Sequence, residues 1–213
     1  MNEAYDYAVT NVVILPIQQY RGYVYNTYTP GGNNLDDEIL NSLRFNSTDE
    51  FLKFYSAWDA RARNIRTDMV VDMQMATLHL GRFNDHRTTR KVSREVVVKE
   101  TVIRPDSIVK EYARVHAEIT TTRRTMNSDA ILRVNVKDGD GRWLWNQNFN
   151  AVHAWSTEFA SYTGDTRALS AEDKALVNRR PETEPSEHEI MRCLLEDIKR
   201  NAENGLRNYF ARY

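Results

Sequence analysis

The chain has 213 residues, of which 41% are hydrophobic and 28% charged, a composition typical of a globular protein and not of a disordered one. Its formal net charge of -1 produces no global field that would attract nucleic acid or an anionic membrane. Cys193 is the single cysteine, which excludes an internal disulfide and a multi-cysteine metal site. No apolar stretch approaches the roughly 18 residues of a transmembrane helix, so the sequence predicts no membrane-spanning helix.

The N-terminal segment, residues 1–66, begins with a predicted strand and a loop. Residues 11–17 form a β-branched apolar run that is too short for a typical helix, and they predict a buried strand. Residues 18–34 contain four tyrosines and end in Pro-Gly and Asn residues, which indicates a loop. Tyr23 and Tyr25 in this loop are candidate interaction residues.

Two predicted helices complete this segment. Residues 35–43 have helical apolar spacing with acids near the start, where the helix dipole favours negative charge. Residues 47–50 resemble a capping box, and they open a second predicted helix over residues 51–63. We expect the aromatic stripe of this second helix to pack on a sheet. The stripe consists of Phe51, Phe54, Tyr55 and Trp58.

Residues 67–163 change to an apolar period of two, which predicts an antiparallel sheet. The centre of this segment predicts a long hairpin with arms over residues 92–119. Pro105 and Asp106 form its predicted tip, because proline fixes φ and aspartate bonds the backbone locally.

The predicted sheet continues with a strand over residues 129–137 and a hairpin turn at residues 138–141. Trp143 and Trp145 follow the turn, and their spacing of two places them on one face of the next strand. We expect at least one of these tryptophans to be buried, and both are candidate interaction residues. A last strand is predicted near residues 152–159.

The C-terminal segment, residues 164–213, predicts helices. Ser170 has the position of a helix cap, and the prolines of residues 181–185 indicate a break. Residues 186–210 carry apolar side chains at steps of four, as a long amphipathic helix does. Together the patterns predict one α+β domain over residues 1–213. Its architecture would be an antiparallel β meander of five or six strands, with helices packed on one face and a long C-terminal helix.

A recognisable segment follows the predicted sheet. It has an aromatic-rich strand, a tract of small residues, the pair Gly164-Asp165, and Arg167 followed by Ala-Leu-Ser before a helix. It resembles a recurring segment of uncharacterised cell-envelope lipoproteins of the Bacteroidota. The resemblance implies a location in the periplasm or at the outer membrane, with a lipid anchor on a cysteine that this chain lacks. It implies no catalytic residues.

A looser similarity is architectural. A helix, a meander with a tryptophan-bearing hairpin and a long terminal helix are similar to periplasmic lipoprotein domains of the curli-secretion kind. The N-terminal residues 1–7 favour the alternative location, the cytoplasm, because they lack the basic and apolar regions of a secretory signal.

The sequence offers little support for metal or catalytic chemistry. The five histidines include no pair at metal-ligand spacing, and no Gly-x-Ser-x-Gly elbow is present. Residues 138–141 lack the later ligands of a calcium loop, so a hairpin turn explains them. We therefore expect no catalytic residues, no cofactor and no metal. The alternative is a glycan or peptidoglycan hydrolase with Glu158 and Asp165 as its carboxylates.

Gly164, Asp165 and Arg167 are candidate structural or interaction residues. Gly164 can supply a positive φ, and Asp165 can accept turn N–H bonds and pair with Arg167. We expect this trio to fix the exit of the chain from the sheet into the helical segment, a folding role and not a chemical one.

Arginine is used far more than lysine, supplying 22 of the 29 basic residues. Guanidinium groups on one sheet face would suit phosphate or carboxylate. Glutamates interleave on the same predicted strands, which favours cross-strand ion pairs over a nucleic-acid surface. The predicted strands carry Arg87, Arg90, Arg94, Arg114, Arg123, Arg124, Arg133 and Arg142.

These observations predict a non-catalytic module of the cell envelope that binds or scaffolds another envelope protein or surface component. The contact surface would be the solvent face of the sheet or the tyrosine-rich loop. Nucleic acid is disfavoured as a partner, and a membrane would be reached only through a lipid anchor. A hydrolase and an arginine-mediated nucleic-acid binder are the two alternatives.

Overall fold

The structure is a computed structural model that describes residues 9–19, 34–46, 50–104 and 107–212. The described residues contain seven strands and four α-helices, so the α+β fold class is confirmed. The strands are β1 (Thr10–Ile14), β2 (Gln18–Gln19), β3 (Leu52–Ser56), β4 (Met69–His79), β5 (Asn84–Arg104), β6 (Ser107–Asp138) and β7 (Trp143–Gly164). The helices are α1 (Leu35–Asn46), α2 (Ala57–Ala62), α3 (Ala171–Asn178) and α4 (Glu187–Phe210), with a 3-10 turn at Thr166–Ala168.

Contacts divide the chain into two compact units. Unit 1 consists of Met1–Gly81, Asn127–His153 and Pro185–Tyr213, and unit 2 of Arg82–Met126 and Ala154–Glu184. Both units include residues of β6 and β7. The single domain expected over residues 1–213 stays a prediction.

The strands of unit 1 run in mixed directions. β1 pairs in parallel with β3 and with β4, and β2 also pairs in parallel with β4. β4 pairs antiparallel with β6, from Met69 opposite Asp138 to His79 opposite Asp129. The prediction of a purely antiparallel meander is therefore wrong. Parallel neighbours need crossover connections. α1 lies in the chain between β1 and β3, and both α1 and α2 lie between β1 and β4.

The second predicted helix is largely a strand. Residues 52–56 form β3, in which Leu52 and Phe54 are buried, and only Ala57–Ala62 is helical. The aromatic stripe does not form, because Trp58 is 76% exposed and Phe51 is 43% exposed. The helix begins instead at Ser56, whose hydroxyl accepts the Asp59 N–H.

Among the described strands, β3 lies at one end of the order β3-β1-β4-β6-β5. Arg44 of α1 reaches its backbone, since Nε donates to the Phe54 carbonyl oxygen at 2.9 Å. The same guanidinium binds Asp59 at 2.8 Å. One arginine thus connects α1, β3 and α2.

The core of unit 1 is built from large aliphatic side chains. Three consecutive residues of β1, Val12, Val13 and Ile14, are buried, as in a strand covered on both faces. α4 is capped by Ser186, which forms a capping box with Glu189, and, as predicted, the helix buries its apolar stripe. The buried α4 residues are Ile190, Leu194, Leu195, Ile198, Ala202, Leu206, Tyr209 and Phe210. None of the helices in the described residues combines the length and apolarity needed to cross a membrane.

Unit 2 contains the predicted long hairpin. β5 and β6 pair antiparallel from Asn84 opposite Thr125 to Arg104 opposite Ser107, so the two predicted strand arms are confirmed and extend further than expected. The predicted tip, Pro105 and Asp106, lies outside the described residues. The core of this unit contains a cluster of five buried side chains. They are Ala117, Ile119, Ala160, Ala168 and Leu169.

Candidate functional site

An open surface pocket of about 440 Å³ in unit 2 is the candidate site, and we call it the arginine pocket. Its lining comes from β6, from β7 and from the segment after α3. The lining residues are Arg123, Ser156, Thr157, Glu158, Arg179, Arg180 and Glu182. All seven side chains are polar, and three of them are guanidinium groups.

The segment after α3 is held beside β7 by local chemistry. α3 ends at Asn178, and Pro181 prevents the helix from continuing, because proline has no N–H and favours an extended residue before it. The Glu182 N–H then donates to the Thr157 hydroxyl oxygen at 3.1 Å, and Thr157 is buried. Arg179 and Arg180 are therefore positioned next to β7.

A neighbouring arginine secures the same segment. Arg124 of β6 binds Asp85 of β5 through two hydrogen bonds of 2.6 and 2.9 Å, and it also pairs with Glu184. The Arg124 hydrogen bonds lower the pKa of Asp85, and the pKa of Arg124 is raised by the same contact. Successive strand residues face opposite sides, so Arg123 is directed away from these carboxylates.

The guanidinium groups of the arginine pocket have no acidic partner among the described residues. Arg123, Arg179 and Arg180 make no side-chain hydrogen bond or ion pair there. Other arginines of unit 2 do: Arg90 pairs with Asp173, and Arg114 with Glu95. The Arg114–Glu95 pair is a cross-strand ion pair of the kind expected from the sequence. The three guanidinium groups of the pocket form no ion pair with any described carboxylate, although Glu158 and Glu182 line the same pocket.

Gly164, Asp165 and Arg167 meet in one turn of unit 2. Gly164 has φ 103°, and a Cβ there would lie 2.6 Å from the His116 carbonyl oxygen, which also accepts the Asp165 N–H at 2.9 Å. The Asp165 carboxylate accepts the Arg167 N–H at 2.9 Å and its guanidinium at 2.6 Å. These hydrogen bonds hold the pKa of Asp165 at about 2, below its usual range. The geometry is that of a turn, and Asp165 does not line the arginine pocket.

The candidate tryptophans lie in unit 1, away from this turn in the chain. Trp143 is 60% exposed, and the Lys137 ammonium lies 4.7 Å from its ring centroid. Trp145 is half-buried and stacks on Tyr209 of α4 with ring centroids 5.2 Å apart, so the expectation that one of the two tryptophans is fully buried is wrong. Tyr23 and Tyr25 lie outside the described residues.

Two carboxylates line the arginine pocket. Glu158, a carboxylate of the hydrolase alternative, is one of them, and Glu182 is the other in place of Asp165. Sequence reasoning missed Arg179, Arg180 and Glu182, because Glu182 belongs to a segment interpreted only as a break and the two arginines directly precede that segment. The signal that could have found them is an Arg-Arg pair beside the helix-ending Pro181. Among the residues that the structure describes, no group of three or more His, Cys, Asp or Glu could hold a metal ion.

No protein-family model matches the chain, and no curated protein matches it. It is similar to the crystal structure of a neuraminyllactose-binding hemagglutinin homolog from Helicobacter pylori, with a TM-score of 0.40, 9% identity and coverage of 93% of this chain and 86% of that chain. It is also similar to a PelC dodecamer structure from Paraburkholderia phytofirmans, with a TM-score of 0.30, 11% identity and coverage of 91% and 89%. Both TM-scores are too low to assign a function to this chain.

Proposed function

We propose that the protein is a non-catalytic binding module whose arginine pocket holds an anionic group of its partner. The observation that carries the proposal is the presence of Arg123, Arg179 and Arg180 in one cavity without acidic partners among the described residues. Guanidinium groups bind carboxylate and phosphate through paired, charge-assisted hydrogen bonds. A pocket that concentrates three of them is suited to an anion.

The partner in this proposal is another envelope protein or a surface component, and the location is the cell envelope. The support is the resemblance of residues 152–170 to the Bacteroidota lipoprotein segment. A lipid anchor would then make the only membrane contact. Fractionation of cells that express the native gene tests the location: recovery in the cytoplasmic fraction alone would contradict it.

Anion binding is tested by calorimetric titration of the full chain with inorganic phosphate and with acetate at constant ionic strength. We expect saturable binding that falls at least about tenfold when Arg123 is replaced by glutamine, since a hydrogen bond to a charged group contributes about 1.5–3 kcal/mol. Replacing all three arginines should abolish it. Arg114→Gln is the matched control, because Arg114 is paired with Glu95 outside the pocket. Equal binding by the triple variant and the wild type would refute the proposal.

A hydrolase is the second candidate, favoured by the presence of Glu158 and Glu182 in one cavity. Glycoside hydrolysis uses two carboxylates, one as acid and one as nucleophile or base. The test is hydrolysis of chromogenic glycosides and of peptidoglycan by the wild type, Glu158→Gln and Glu182→Gln. Turnover that either substitution abolishes would replace the non-catalytic proposal with this one.

A further inference from the structure

The arginine pocket is larger than an isolated anionic group requires. Its volume of about 440 Å³ falls within the range of small-molecule sites, about 300–1,000 Å³. A single water molecule occupies about 30 Å³ in the liquid, and a phosphate or carboxylate group has the size of only a few waters. Space therefore remains for the body of a molecule that carries the anionic group.

The residues that line the pocket indicate the chemistry of the part of the ligand beyond its anionic group. Glu158 and Glu182 can only accept hydrogen bonds when ionised, and they repel an anion. Ser156 and Thr157 add hydroxyl groups, and the Thr157 hydroxyl keeps its proton to donate because its oxygen accepts the Glu182 N–H. These groups suit a ligand that is rich in hydroxyls, since each hydroxyl both donates and accepts.

The lining also argues against a nucleobase. Binding of single-stranded nucleic acid relies on aromatic side chains on which bases stack. No aromatic or aliphatic side chain is among the seven described residues that line the pocket. The surface offers hydrogen bonds and charge but no stacking platform.

We infer that the arginine pocket binds a sugar that carries an acidic group, either a carboxylate or a phosphate. The guanidinium groups of Arg123, Arg179 and Arg180 hold the acidic group, and Glu158 and Glu182 accept hydrogen bonds from the ring hydroxyls. This inference rests on the proposed function, because it names the class of ligand for the same pocket.

The test compares four probes by calorimetric titration of the full chain: glucuronate, glucose 1-phosphate, glucose and inorganic phosphate. We expect at least one acidic sugar to bind about tenfold or more tightly than both glucose and phosphate. Glucuronate and glucose 1-phosphate distinguish a carboxylate from a phosphate as the acidic group.

Replacing the glutamates should change the affinity for an acidic sugar and the affinity for phosphate in opposite directions. In Glu158→Ala and Glu182→Ala, affinity for the acidic sugar should fall about fivefold or more, because hydroxyl partners are lost. Affinity for phosphate should rise, because repulsion is removed. Glu95→Ala is the matched control, as Glu95 is exposed and paired with Arg114 outside the pocket. Thermal melting identifies any variant that fails to fold, and Glu158→Gln or Glu182→Gln, of nearly equal volume, then takes its place. In a glutamine variant the rise in phosphate affinity is the readout, because the amide oxygen still accepts hydroxyl hydrogen bonds.

The possible failures are distinguishable. If phosphate binds as tightly as the acidic sugars and loses affinity in the arginine variants, the inference is wrong and the proposed anion binding stands. If no anion binds, both are wrong. If glucose binds as tightly as glucuronate, the arginines do not select the ligand and the inference is wrong.

Discussion

The cores of the two units differ in what they bury. In unit 1, α4 alone buries eight residues, among them Leu194, Leu195 and Ile198. In unit 2 the core cluster has five buried residues, of which three are alanine. Because the free energy of burial grows with the apolar area removed from water, a buried side chain of α4 contributes more stability on average than one of the unit 2 cluster.

Hydrogen bonds and backbone geometry supplement this small core in unit 2. Ser170 and Asp173 form a capping box at α3, and Asp173 also pairs with Arg90. Burial raises the pKa of Asp173, but hydrogen bonds from Ser170 and the charge of Arg90 outweigh burial and leave that pKa lowered. A small apolar core can thus be supplemented by hydrogen bonds and ion pairs. These contacts depend on pH and on backbone conformation, to which the burial of aliphatic side chains is less sensitive.

The largest loss of stability is expected from a substitution in the core of unit 1. Ile198→Ala removes a fully buried side chain from α4, and the lost burial together with the cavity should lower the free energy of unfolding by about 2–5 kcal/mol. Urea denaturation followed by circular dichroism measures the loss. Val177→Ala in unit 2 is the comparison, because Val177 is only partly buried and should cost less. Equal losses would remove the distinction between the cores.

The next largest loss of stability is expected from a substitution of Gly164. Gly164→Ala should lower the free energy of unfolding by about 1–3 kcal/mol through its positive φ alone, and by more because the new Cβ meets the His116 carbonyl oxygen. Gly141→Ala is the matched control, since Gly141 has φ 83° but nothing within 4 Å of its Cβ position. The same denaturation experiment measures both. A loss in Gly164→Ala no larger than in Gly141→Ala would show that the close approach contributes nothing.

The smallest change in stability is expected from the ion pair between Asp165 and Arg167 in the same turn. The pKa of Asp165 is about 2, below the ordinary 3.8, so its contribution to stability is complete above pH 3.8 and is lost as the pH falls through 2. Titration of the Arg167 backbone amide by NMR should show this midpoint. Arg167→Gln should raise it towards the ordinary value, because the main cause of the lowered pKa is the Arg167 side chain. Arg200→Gln, which alters an ion pair on α4, should leave it unchanged. An unchanged midpoint in Arg167→Gln would contradict the ion pair.

Elements with a strong, single period were predictable from the sequence. α4 and the hairpin arms have long regular patterns, and the structure confirms both. β3 was not predictable, because residues 51–58 have aromatic spacing that also fits a helix, and only pairing with β1 selects a strand. The parallel pairing of β1 with β3 and β4 could not be predicted from the sequence for a related reason. A strand buried on both faces, such as β1, carries no alternation that would reveal its neighbours.

The candidate site was predictable only in part. Glu158 was identified through its sequence segment, and Arg123 through its place on a predicted strand, but nothing local in the chain connects them to residues 179–182. The arginine pocket arises when the segment after α3 lies beside β7, a contact fixed by Thr157 and the Glu182 N–H. Such long-range contacts have no periodic signal in the sequence.

The contact between Arg44 and β3 has a consequence for solubility. A strand at the end of a sheet presents unpaired backbone groups that can recruit a strand from another molecule and start aggregation. The Arg44 guanidinium donates a hydrogen bond to the Phe54 carbonyl oxygen, and an ion pair with Asp59 holds the guanidinium at this edge. Lys53, exposed on the same strand, adds a second charge. Arg44 of α1 thus takes up one of the acceptors that a strand from another molecule would need, and the charges of Arg44 and Lys53 disfavour such pairing.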